Sequence, residues 1–233
     1  MFELGGAIRT ERKDGVETRA RILDAASEVF SRKGFRIATV AQIVAAAGVN
    51  RAAVNYHFGG KEALYDQVWR HARDVCLQGY PLAPPENGGS SPREALRHLI
   101  RALILRSFDP GPAGHFTRLL AFEISDPRPS LQTERLETIR LHGEHVDVIA
   151  RRVLGEDASE EALQVCRLSV MSPTIGLGVR MVRHPDQPEV QRIRRSDPER
   201  LAEGLFRFAW AGLQACARAA DRPAADDGAE ELS

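Results

Sequence analysis

A chain of 233 residues with 43 % hydrophobic content can form one large domain or a small one joined to a larger one. Its 32 Lys and Arg balance 32 Asp and Glu, which argues against a strongly basic binding protein. Three cysteines, Cys76, Cys166 and Cys216, lie far apart in apolar stretches, which excludes a disulfide framework or a clustered zinc site. With no apolar run of membrane-spanning length and no secretory segment after Met1, the expected location is the cytoplasm, off the membrane.

The charge balance is uneven. Residues 1–78 hold twelve Lys and Arg against nine Asp and Glu, whereas residues 221–233 hold one against five. The first stretch is a modestly basic module, sufficient if each copy neutralises a few phosphates and a dimer doubles the count. The last is a low-complexity acidic tail predicted to be disordered.

In chain order, residues 1–15 read as a flexible arm whose Arg9, Arg12 and Lys13 can touch a phosphate backbone or stay solvated. Ile22, Ala25, Ala26, Val29 and Phe30 line one face of a helix over residues 18–32, with Gly34 as its C-cap. Thr39 and Gln42 form a capping box for a helix to about residue 46, with Val40, Ile43 and Val44 as its stripe. Gly48 stands at a corner that suits positive φ, and Val49 can plug the angle. A third helix starts near Asn50 and stops at Phe58 and the Gly59-Gly60 break. Residues 61–80 predict a longer helix with a broad apolar band that supports the small module and touches something beyond it.

Pro81, Pro84, Pro85, Gly88 and Gly89 mark a linker over residues 81–91. Everything after it reads as helix. Ser91, Pro92 and Glu94 start one that runs to about Phe108. Others are predicted over about 114–125, 130–154, from a cap at Asp157 to 181, and 198–219, with a polar gap at 184–188. Apolar residues fall at helical spacing throughout, so the expected class is all-α.

Two short helices meeting at a three- or four-residue turn form a helix-turn-helix, whose second helix enters the major groove of DNA. Arg51 has a fork suited to guanine, or to phosphate if it points outward. Asn50 or Asn55 can pair with adenine, although Asn50 can equally be spent as a helix cap. Ala52 and Ala53 allow close approach and can meet a thymine methyl. Tyr56 and His57 can bond phosphate, with packing the alternative for Tyr56, and Lys61 adds charge beside a helix N-terminus.

The sequence resembles the TetR family of bacterial transcriptional regulators. The matching segments are R-I-L-D-A-A-S-E-V-F-S-R-K-G-F at 21–35, T-V-A-Q-I-V-A-A-A-G-V at 39–49 and N-Y-H-F-G-G-K-E-A-L-Y at 55–65. The remainder resembles the CecR/YbiH-type C-terminal domain more loosely, through E-x-x-D-P-x-P-S-L at 123–131 and the apolar stretch at 162–182. The resemblance implies a homodimer that binds a palindromic double-stranded DNA operator through residues 16–80. It implies a ligand-binding and dimerisation bundle over 92–220, a small-molecule effector that releases the DNA, and most simply repression. Carried over by position, Thr39 caps the second helix near phosphate, Asn50, Arg51, Ala52 and Ala53 open the recognition helix, and Asn55 and Tyr56 follow on its exposed side. His57 and Lys61 match the family's Tyr/His and phosphate-contacting lysine. Where many relatives have Ser or Thr, Gly and Tyr, this chain has Asn50, Ala52 and Asn55, so operator sequence does not carry over.

For the effector, apolar helices around a cavity are the usual site in a bundle. Candidate lining residues are Leu103, Phe108, Phe116, Leu120, Ile124, Met171 and Ile175, with Glu123 or His142 as the polar contact; each also reads as plain core. Pro173 is expected to kink its helix. His142 and His145, three apart, lack a closed ligand set, so no metal or cofactor is expected. Without a nucleophile, metal set or nucleotide loop, no enzyme is expected either. Leu205, Phe208 and Trp210 are candidate anchors of a four-helix dimer interface. Residues 61–80 are the expected lever between effector and DNA.

Overall fold

The computed structural model describes residues 4–84 and 89–220, and every regular element among them is helical. Among these residues ten α-helices follow one another: α1 (Leu4–Ile37), α2 (Val40–Ala47), α3 (Arg51–Phe58), α4 (Lys61–Gly79), α5 (Pro92–Phe108), α6 (His115–Ser125), α7 (Gln132–Leu154), α8 (Glu160–Arg183), α9 (Pro188–Arg194) and α10 (Pro198–Ala220). Single 3-10 turns at Pro112–Gly114 and Pro129–Leu131 lead into α6 and α7. The acidic tail at 221–233, residues 85–88 of the linker and the side chains of Arg9, Arg12 and Lys13 lie outside what is described.

Local signals set most of the boundaries. Thr39 accepts the Gln42 N–H at 3.3 Å while Gln42 Oε1 takes the Thr39 N–H at 3.2 Å, which closes the expected capping box. Ser91 and Glu94 do the same for α5, with Pro92 at the first helical position. Gly48 ends α2 at φ 63° and ψ 40°, the left-handed region in which an L side chain is disfavoured.

Several boundaries differ from the sequence reading. The α1 backbone is helical from Leu4, inside the stretch read as an arm, because its Glu, Arg and Lys residues are good helix formers. Ser159, not Asp157, caps α8, by accepting the Ala162 N–H at 3.2 Å. The polar gap after α8 holds α9, started by Pro188. Helix α8 runs through Pro173 as one element, with the Thr174 hydroxyl donating to the carbonyls of Val170 at 3.2 Å and Met171 at 2.9 Å. By length and composition α8 could cross a membrane; here it buries Leu163, Cys166, Val170 and Met171 among other helices and pairs Arg167 with Asp147 at 2.7 Å.

Two hydrophobic cores result. The first joins α1–α4 around Ile22, Phe30, Ile43, Val54, Phe58 and Tyr65, with Phe30 edge-on to Tyr65 at 4.8 Å. Phe116, Leu119, Leu120 and Leu131 of the later chain complete it, so α6 is packed into the head. The second core unites α5, α7, α8 and α10 around Leu96, Leu99, Ile104, Val146, Val170 and Phe206. The first core thus draws residues from both sides of 81–91. Gly34, at φ 70°, marks the contact: a Cβ there would lie 2.9 Å from the Phe122 ring of α6.

Candidate DNA-reading surface and effector region

Helix α3 is anchored by two side chains. Val54 and Phe58 are buried, and at a spacing of four they define its inner face. Arg51, Ala52, Asn55 and Tyr56 are therefore turned outward and exposed, Tyr56 at 85 %. The alternative of a packed Tyr56 is excluded by that exposure. Its ring meets the His57 imidazole edge-on at 5.0 Å, and His57 and Ala53 are half-buried beneath the outer face.

Asn50 takes the capping role. Its Oδ1 accepts the Ala53 N–H at 2.9 Å, which satisfies one of the free donors at the start of α3. Asn50 is thus engaged at the cap, whereas Asn55 stands exposed on the outer face.

Thr39, Arg51, Asn55 and Lys61 line one cleft of about 460 Å³ on the head, so residues 22 positions apart in sequence share a surface. Arg36, which the sequence reading missed, lines it too, tied to Asp126 at 2.7 Å. Lys61 begins α4 behind Gly60, where no side chain caps the free N–H groups. Its ammonium sits 4.3 Å over the Phe35 ring. Burial, and then the nearby Arg128 guanidinium, hold its pKa below the usual lysine range. Cations and open backbone donors around one cleft make a surface for phosphate.

The candidate effector residues do not share one cavity. Leu103, Leu120, Ile124 and Ile175 line a small cavity of about 20 Å³ between α5, α6 and α8. Phe116 and His142 line a separate pocket of about 290 Å³ with Leu77, Leu82 and Leu141, between α4, α6 and α7. Phe108 faces a cleft beside Arg118, and Met171 is packed in the second core. Periodicity shows that a helix face is apolar; it does not show which neighbour meets it.

Glu123 lines a cleft of about 450 Å³ with Phe35, Tyr65, Asp126 and Arg128. It is 1 % exposed, and its two carboxylate oxygens accept the Tyr65 hydroxyl at 3.0 Å and the Arg128 N–H at 3.0 Å. The Arg128 guanidinium lies 3.7 Å over Phe35 and 4.7 Å over Tyr65. Burial pushes the Glu123 carboxyl above the usual carboxylate range, against the pull of those two donors. Together with Arg36 and Asp126 this is a latch between the body and the head. Its carboxylate and arginine stand in the 123–131 segment, visible in the sequence only as a family resemblance.

His142 is also committed. Its Nδ1–H donates to the Thr138 carbonyl, which leaves Nε2 to accept from Arg106 at 2.9 Å. Both ring nitrogens are thus used, and His142 is not offered to a metal with His145. Burial first, then Arg106, lowers its pKa to about 3. In the unfolded chain it protonates near the ordinary value of about 6.5, so the unfolded state binds more protons between those limits. Stability from this residue is full above about pH 6.5 and is lost as pH falls toward 3. Urea unfolding from pH 7.5 to 4.5 is expected to show a decline that H142N makes shallower, His115, lowered by burial to about 4, supplying part of what remains; an equal slope in both proteins would contradict it.

A small three-helix head with a solvent-facing second turn helix, fixed to a helical bundle, defines a helix-turn-helix transcriptional regulator. Comparison with known proteins agrees. The profile of bacterial regulatory proteins of the tetR family matches residues 22–68, and that of the C-terminal domain of the HTH-type transcriptional dual regulator CecR matches residues 92–212. The chain belongs to the TetR family of transcriptional regulators. The transcriptional regulator AcrR of Shigella flexneri is 38 % identical over 100 residues, 41 % of this chain and 46 % of AcrR. The first curated relatives thus match along about half of their length or less. The transcriptional activator FasR of Mycolicibacterium smegmatis is 27 % identical over 90 % of this chain and 89 % of its own. The solved FadR of Bacillus subtilis in complex with stearoyl-CoA superimposes with a TM-score of 0.61 at 16 % identity, covering 83 % of this chain and 98 % of FadR, a likeness of fold.

Proposed function

We propose that this regulator acts in the cytoplasm as a homodimer whose paired α3 helices read a palindromic operator. A small-molecule effector held in a CecR-type C-terminal domain releases the DNA, and the simplest outcome is repression. The observation that carries this reading is the outward face of α3, with Arg51, Asn55 and Tyr56 exposed over a basic cleft. A second copy fits the other end. Val165 and Leu168 on α8 and Phe208 on α10 are exposed at 47 %, 58 % and 79 %, a large apolar surface for one chain to leave in water. Leu205 and Trp210, the other two expected anchors, lean against the second core instead.

Binding of genomic fragments by the purified full chain, followed by a gel-shift assay on those recovered, tests the reading. One retarded duplex with two half-sites about 34–36 Å apart supports it; a monomer that retards no duplex overturns it. Phe208→Glu is expected to raise the dimer dissociation constant roughly 30-fold or more and to weaken operator binding with it. Sedimentation and gel shift would read both, and an unchanged dimer would place the interface elsewhere.

Activation is the second reading, favoured by the name of FasR, which aligns along nearly the whole chain. Transcription in vitro from the recovered promoter separates the two: added protein lowers the transcript in one case and raises it in the other.

A further inference from the structure

The cleft on the head that holds Arg51 and Lys61 has a third cation, Arg36, and no carboxylate among its described lining residues. Arg36 stands in the last turn of α1, after the break at Gly34. Thr39, three residues on, caps α2, and Asn55 of α3 faces the same cleft. Three cations gathered without an acid form a surface fitted to a phosphate backbone. Among the described residues, Arg36 alone of the three is paired with a carboxylate, and that carboxylate comes from the body.

Asp126 supplies it. It caps the C-terminal end of α6, where its N–H donates to the Phe122 carbonyl at 2.8 Å. From 90 positions along the chain, its Oδ2 meets Nε of Arg36 at 2.5 Å and its Oδ1 meets Nη2 at 2.7 Å. The carboxylate therefore covers one whole edge of the guanidinium fork. A phosphate presents two oxygens at a matching spacing and takes that same edge. The two anions exclude each other there. Arg36 is 79 % exposed and Asp126 42 %, so the pair sits in water, where such contacts are weak and screened by salt. A duplex, with its dense row of charges, is the stronger competitor.

We propose that Arg36 contacts the DNA backbone when the head is bound, and that Asp126 competes with phosphate for its guanidinium. This rests on the DNA-reading function given above. The contact is autoinhibitory: Asp126 neutralises a cation of the reading surface as long as α6 keeps its place beside α1. The carboxylate belongs to the body and the guanidinium to the head, so the charge offered to DNA depends on how the two are set. Asp126 is not needed to hold them together. Phe122 against Gly34, and Glu123 between Tyr65 and Arg128, remain without it. Movement of α6 away from α1 frees the fork, and movement toward α1 keeps it covered.

The test uses the full-length protein, a labelled duplex of random sequence and four forms: wild type, D126N, R36A and the double variant. Asn keeps the shape of the side chain, and both positions are exposed, so each form is expected to fold with wild-type circular dichroism. D126N is expected to bind duplex about three- to tenfold more tightly at about 50 mM salt, two subunits acting together. R36A is expected to bind more weakly, with the salt slope reduced by about one per subunit. The decisive comparison is D126N in the R36A background. Removing any acid near DNA relieves repulsion, whereas competition requires the arginine, so the gain is expected to vanish there. A gain of the same size with or without Arg36 would overturn the proposal, as would a D126N protein that binds no better than wild type. An R36A protein with unchanged affinity and slope overturns it too. If D126N fails to fold, D126S takes its place in the same cycle. A chain that binds no duplex in any form overturns the DNA-reading function as well. One that binds duplex without coupling between these two positions overturns this proposal alone.

Discussion

Trp69→Ala is expected to lower the stability of the whole chain by about 3–5 kcal/mol, the range for removing a large buried aromatic. Trp69 is fully buried on α4 and meets Phe116 of α6 edge-on, ring centres 4.9 Å apart. It is the largest side chain in the core shared by head and body, so its loss opens a cavity where the two are joined. Urea denaturation measures the change, and the second tryptophan, Trp210, packs against the other core and reports on it alone in the variant. Because α6 belongs to the head's core while contacting α8, both probes are expected to move to a lower midpoint together. A loss below about 1 kcal/mol would show that the α4–α6 contact is not the joint.

This joint changes the mechanical picture drawn from sequence, in which residues 61–80 alone connect the two parts. Three connections run in parallel: α4 through Trp69, α6 through Phe122 against Gly34, and the latch of Glu123, Arg128 and Tyr65. A change in the body can therefore reach α1 and α4 at once. Val54 and Phe58 hold α3 in the same core as both helices, so its outward face is positioned by them. An effector moves that equilibrium only if it binds one arrangement better than the other.

The head was legible in the sequence because its determinants are local. Thr39 and Gln42 close their capping box within four residues, and Gly48 needs only its own backbone angles. The outward face of α3 follows from the spacing of Val54 and Phe58. What was not legible depends on partners far along the chain. Glu123 reads as a polar contact until Tyr65, 58 positions earlier, is seen to donate to it. Arg106 carried a local signal that went unused: it continues the buried stripe of Ala95, Leu99 and Leu103 at helical spacing, where a charged residue is out of place. Asn50 left two readings open, and its Oδ1 is found on the Ala53 N–H at the cap.

Arg51 and Lys61 share one cleft yet should fail in different ways when removed. Arg51 stands at the first position of α3, exposed, with its planar fork free to meet a guanine edge. Such a pair discriminates by about 1–3 kcal/mol, so Arg51→Ala should weaken each operator half-site about 5- to 150-fold while leaving random duplex nearly unaffected. A symmetric dimer carries the loss twice. Lys61 stands at the mouth of α4, its ammonium held over Phe35, where it adds charge beside open N–H groups but no planar fork. Lys61→Ala should therefore lower operator and random-duplex affinity by similar factors, and reduce the salt slope by about one per subunit. Affinities for both duplexes at matched salt, with the slope from 50 to 200 mM, separate the two roles. Equal losses on both duplexes for Arg51→Ala would assign that guanidinium to the phosphate backbone and leave Asn55 and Tyr56 to carry base selection.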